Sequence, residues 1–130
     1  NIVTEKSVIN QNPQIVFEFL NDINNLEKLM PEEKVSNWMS DSESCSFQIQ
    51  GLSTIALEKK DAVPHQKIHL SAKDNKPFAF DLIIYINETN NASEVHIDFN
   101  ANVNPFMKMM IEKPLSNFFN YLVNALEKQF

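Results

Sequence analysis

Residues Pro105–Phe130 read PFMKMMIEKPLSNFFNYLVNALEKQF, and the reading of this stretch decides the fold. Leu115, Phe118, Phe119, Leu122, Val123 and Leu126 recur at helical spacing and form one apolar stripe. Asn104 is a good N-cap, and Pro105 fits the first helical position, where a missing N–H costs nothing. A helix over the whole stretch would be about 39 Å long at 1.5 Å per residue. That length needs an equally large apolar surface to lie on. Pro114 falls inside it and predicts a kink near Ile111, or else two successive helices parted at Glu112-Lys113.

The segment before this helix alternates with period two. Val95, Ile97, Phe99, Ala101 and Val103 share one strand face, with His96, Asp98 and Asn100 opposite. Phe78, Phe80, Leu82, Ile84 and Ile86 share a face of the preceding strand, and NETNN at 87–91 reads as the turn between. Further back, Lys67–Lys73, Leu52–Ala62, Ser44–Gln50 and Val35–Met39 also read as strands. Their breaks fall at Asp74–Pro77, Val63-Pro64 and Gly51. Asp22 caps a short helix through Leu29. Asn12-Pro13 opens another, with Ile15, Val16, Phe19 and Leu20 on one face. Ile2–Asn10 reads as a first strand. One-sided alternation predicts an antiparallel sheet with one buried face. The expected fold is α+β: residues 1–130 as a single domain, with a curved antiparallel sheet of about six to seven strands around the C-terminal helix, and two short helices after the first strand.

Composition narrows the function. Lysines number 11 and acidic residues 17, for a net charge of −6, and there is no arginine. That argues against nucleic acid and phosphate partners, which arginine forks and basic patches recognise, and against a polybasic membrane surface. A single glycine, Gly51, leaves no Walker loop or dinucleotide fingerprint. A single cysteine, Cys45, leaves no internal disulfide. No apolar run is long enough for a membrane span, and NIVTEKSVIN is not a signal peptide. Cytoplasm is the expected compartment.

The element order resembles the helix-grip fold of the START-like (SRPBCC) superfamily. The residues that carry the resemblance are PQIVFEFLND at 13–22, LMP at 29–31 and PLSNFFNYLVNAL at 114–126. That superfamily includes lipid-transfer domains, pollen-allergen-type carriers and bacterial polyketide cyclase- or dehydrase-like proteins. The resemblance implies a cavity between sheet and helix that takes a small hydrophobic molecule such as a lipid, isoprenoid or polyketide-like compound.

The expected ligand-binding residues are the inward apolar ones. On the strands they are Phe47, Ile49, Leu70, Phe78, Phe80, Leu82, Ile97 and Phe99, with Val95 beside them. On the helix they are Met107, Met110, Phe118 and Leu122. The same set serves equally as ordinary core. Phe106–Ile111 is rich in methionine, which suits either an adaptable lining or a gap filler. Ser116, Asn117 and Tyr121 are candidates to orient a polar head. No catalytic constellation is visible. His65 and His69 sit on a strand without a carboxylate at ligand spacing, so neither a metal nor a cofactor is called for. Cys45 lies on an apolar face and reads as a small hydrophobe. Asn87-Glu88-Thr89 and Asn91-Ala92-Ser93 match glycosylation sequons but read as turn chemistry. The superfamily's aromatase-type cyclases tend to use a pocket arginine, and this chain has none. Two other readings stay open. One is a cyclase- or dehydrase-like reaction, which requires a buried polar pair. The other is a protein-interaction module, which requires an exposed apolar patch, expected near Trp38 and Met39.

Overall fold

The computed structural model describes residues 1–130. Two short strands, β1 (Ile2–Val3) and β2 (Ser7–Ile9), precede α1 (Pro13–Asn21) and a 3-10 helix (Ile23–Leu29). Six strands follow: β3 (Val35–Ser40), β4 (Ser44–Ile49), β5 (Thr54–Val63), β6 (Lys67–Ala72), β7 (Phe80–Thr89) and β8 (Ala92–Ala101). The chain ends in α2 (Pro105–Glu127). All strands join one antiparallel sheet in the order β1-β8-β7-β6-β5-β4-β3, with β2 also on β8. The architecture is α+β and helix-grip, with eight strands rather than six or seven.

The extra strand comes from a break in the first one. Val3 pairs with Asp98 and Ser7 with Val95, so three residues on one side face two on the other. Thr4 bridges the gap. Its N–H donates to the Ile97 carbonyl at 2.9 Å, and its Oγ1 accepts the Ile97 N–H at 2.9 Å. The side chain thus takes the place of a ladder carbonyl, and the ladder carries on past a bulge.

Local chemistry sets the other boundaries. Asn12 Oδ1 accepts the Ile15 N–H at 3.0 Å and Asn104 Oδ1 the Met107 N–H at 2.8 Å, so both helices start at an asparagine before proline. Asn90 and Asn91 adopt φ of 47° and 65°, which gives β7–β8 a two-residue hairpin. Asn87, Glu88 and Thr89, expected in the turn, are therefore the last residues of β7. Phe78, expected inside that strand, lies before it and is half-buried. Pro77 cannot donate to a ladder, and β7 begins only at Phe80. On α1 the buried side chains are Val16, Phe17 and Leu20; Ile15 is exposed and Phe19 half-buried. Phe17 thus joins Val16 and Leu20 on the buried face, and its ring meets His65 edge-on at 5.8 Å.

α2 packs on β1, β2, β8 and the 3-10 helix. Its 23 residues span about 35 Å. It runs through Pro114 as one helix, so the expected division at Glu112-Lys113 does not occur. Pro114 leaves the Met110 carbonyl without its helical partner. Both residues are exposed, and water can satisfy that group.

Candidate functional site

The inner faces of β4–β8, the 3-10 helix and the C-terminal half of α2 enclose an apolar cavity. Nineteen residues line it, and every one is hydrophobic. Phe47, Leu70, Phe80, Leu82, Val95, Ile97, Phe99, Phe118 and Leu122 are among them, so the structure brings these expected residues together. Ile49 is buried but lies off the cavity, and Phe78 sits in the loop before β7.

Met107 and Met110 do not face inward; they are 42% and 60% exposed. The geometry of the helix explains why for Met110. At 3.6 residues per turn, Phe106, Met109 and Met110 are centred roughly 170° from the stripe running from Ile111 to Leu126, whereas Met107 lies at the margin of that stripe, one turn before Ile111. That trio and the stripe lie on opposite sides of one helix. Lys108 and Ile111 of this segment face β1 and β8 instead, where they line a small crevice with Ile2 and Phe99.

Several lining residues lay outside the expected set. Leu20 comes from α1, Leu26 and Leu29 from the 3-10 helix, Met30 from the residue that follows it, and Phe119, Val123 and Leu126 from α2. All three α2 residues belong to the stripe legible in the sequence. The spacing of 115, 118, 119, 122, 123 and 126 was the signal for them.

The cavity is small, about 30 Å³. Ligand pockets commonly measure about 300–1,000 Å³. The volume corresponds to roughly one water molecule, and the walls offer a water no polar partner, so the cavity is dry. A ligand enters only by displacing side chains. At one end, Met30 lines both the cavity and a surface hollow formed with Glu27, Glu32, Val35 and Trp38. Trp38 stacks on Phe47 with ring centroids 5.4 Å apart. It is anchored by its Nε1, which donates to Ser40 Oγ at 2.9 Å; Ser40 Oγ in turn donates to Asn24 Oδ1 at 2.6 Å.

Aromatic side chains cross the interior as a continuous series. From Trp38 the rings run through Phe47, Phe118, Phe119, Phe99 and Phe80 to Phe78, with neighbouring centroids between 4.9 and 5.9 Å apart. These are the offset, tilted and edge-on separations that aromatic quadrupoles favour.

Polar groups stay out of this interior. The buried polar residues Thr4, Ser7 and Ser93 bond to Glu5, Asn124 and Gln11 respectively. Asn117 and Tyr121 are exposed and Ser116 is half-buried beside Asn120; none of the three lines the cavity, so they are not placed to orient a ligand head inside it. Burial pushes the Cys45 thiol up to about 12, which keeps it protonated and unreactive. His69 Nε2 meets Asp81 Oδ1 at 2.7 Å, but this pair lies on the outer face of the sheet. His96, also on the outer face, stacks on Tyr85 at 5.0 Å; burial holds its pKa below the ordinary value, and Lys6 adds to the effect. No three His, Cys, Asp or Glu side chains converge as metal ligands would. No helix is long and apolar enough to cross a membrane.

No protein-family model matches the chain. No curated protein matches it either. Solved structures do. The solution structure of KanY protein aligns with a TM-score of 0.76 at 15% identity, over 98% of this chain and 94% of that one. A crystal structure of a protein from Nitrosomonas europaea aligns with a TM-score of 0.72 at 13% identity, over 98% and 91%. A START superfamily protein from Mycobacterium smegmatis aligns with a TM-score of 0.67 at 10% identity, over 99% and 97%. At these identities the likeness is one of fold, and the fold is START-like throughout the chain.

Proposed function

We propose that this protein binds or carries a small hydrophobic molecule in the cavity between the sheet and α2. The observation that carries the reading is the wholly apolar lining around a residual void in a START-like fold. A lipid tail, an isoprenoid or a hydrocarbon ring would gain about 25 cal/mol per Å² of apolar surface taken from water. A cyclase- or dehydrase-like reaction needs an acid–base pair facing the ligand. The lining supplies only hydrocarbon and thioether groups, which favours the carrier.

The test is native mass spectrometry of protein purified gently from its own host, followed by thermal shifts with a hydrophobic panel. A discrete adduct, lost on denaturation, is the expected result. Apo protein alone, with no shift from any compound, would sink the carrier reading.

A protein-interaction role is the second reading, and one observation favours it. Phe106, Met109 and Met110 are 68%, 72% and 60% exposed on the outward side of α2. This patch lies away from Trp38 and Met39. Methionine-rich faces of this kind adapt to varied partners.

A further inference from the structure

We propose that the molecule held in the cavity is a small planar arene without a polar substituent inside. The inference rests on the cavity reading above and narrows it to a chemical class.

Two independent observations carry it. The first concerns polarity. No lining residue presents an N–H, hydroxyl or carboxylate, and the buried hydroxyls of Thr4, Ser7 and Ser93 lie outside the lining and are already engaged. A ligand hydroxyl or carbonyl taken inside would lose its water and find nothing in return. Polyketide-like and head-group-bearing ligands are disfavoured on this ground. The second concerns shape. Phe47, Phe80, Phe99, Phe118 and Phe119 all line the void. Phe47 and Phe118 are stacked at 24°, Phe80 and Phe99 tilted at 36°, and Phe118 and Phe119 edge-on at 68°. A further ring inserted among them can adopt the same offset and edge-on geometries. With only about 30 Å³ open at rest, a flat ring parts the walls least.

Three compounds of one carbon count separate the alternatives: toluene, methylcyclohexane and p-cresol. Trp38 reports on them directly, because it stacks on Phe47 of the lining. Its fluorescence, excited at the red edge of its absorption, is titrated with each compound on the wild-type protein and on Phe118→Leu. Toluene should give a saturable change, with p-cresol at least about tenfold weaker, since its hydroxyl goes unpaired. Phe118→Leu should weaken toluene several-fold relative to methylcyclohexane, because it removes a ring while keeping the site apolar. If Phe118→Leu does not fold, Phe80→Leu takes its place, and the cresol comparison needs no variant.

Cresol binding as tightly as toluene would overturn the proposal. So would a substitution that weakens both hydrocarbons equally. A saturable response to none of the three, by fluorescence or by thermal shift, would remove the cavity reading itself and this proposal with it. The first two failures leave a hydrophobic carrier standing.

Discussion

Cys45 pairs across to Leu57 on the inner face of the sheet, where burial disfavours its thiolate. Its native pKa is raised from 9.0 to about 12. The unfolded chain therefore loses this proton first as pH rises. Stability from this group is full below pH 9.0 and falls above it, by about 1.4 kcal/mol per pH unit until the native thiol itself titrates. Urea melts between neutral pH and pH 10 should show this loss, and Cys45→Ala should remove it. Thiol reagents should label Cys45 only as fast as the protein opens. His96 acts at the other end of the scale. Its native pKa is lowered, so the unfolded chain binds its proton first as pH falls through about 6.5. Stability should drop there and level off below the native pKa. His96→Gln should flatten that part of the profile in urea melts at pH 7 and pH 5. Both positions were legible from strand alternation, which puts Cys45 inward and His96 outward. Their titration was not, because it depends on what covers each ring or thiol.

At the scale of elements, α2 carries two apolar faces that point opposite ways. Its C-terminal stripe is buried, with Phe119 4% exposed and Phe99 of β8 at 4.9 Å from its ring. Phe119→Ala should cost about 3–5 kcal/mol in denaturant melts, the usual range for emptying such a site. The double substitution Phe106→Ser and Met109→Ser, about three to four turns away, should change stability by no more than about 0.5 kcal/mol per site. It should also shorten retention on a phenyl column. A loss of several kcal/mol from the second variant would mean that the N-terminal turns pack inward after all. The sequence pattern supports the stripe from Leu115 onward because six positions agree on one direction. Before Pro114 five of the six residues 106–111 are apolar and surround the helix, so they define no direction, and an inward Met107 and Met110 rested on their chemistry alone. Angular position on the helix, carried back from Leu115, places Met110 outside and Met107 at the margin of the stripe.

For the whole molecule, the order of elements follows from alternation, caps and breakers, and the START-like fold follows from that order. The size of the cavity does not, because a few tenths of an ångström in the positions of nineteen side chains decide between a void and a filled core. One route to opening it further is to lift α2 from the sheet edge, and the side-chain bonds that oppose this are few. Asn120 Oδ1 accepts the Glu5 N–H at 2.9 Å, and Asn124 Oδ1 accepts Ser7 Oγ–H at 3.2 Å. Asn124 Nδ2 donates to Glu5 Oε1 at 2.9 Å. All three tie α2 to the break between β1 and β2, far in sequence from the helix. Replacing both asparagines by alanine should cost about 2 kcal/mol, at roughly 1 kcal/mol per hydrogen-bonding side chain. If binding waits on a minor, lifted state of α2, the same change raises the population of that state. Toluene should then associate faster with Asn120→Ala/Asn124→Ala, by up to the factor by which the lifted state is enriched. Stopped-flow Trp38 fluorescence reads this rate. An unchanged association rate, together with the lost stability, would place the moving part elsewhere, with Met30 at the surface hollow as the remaining gate.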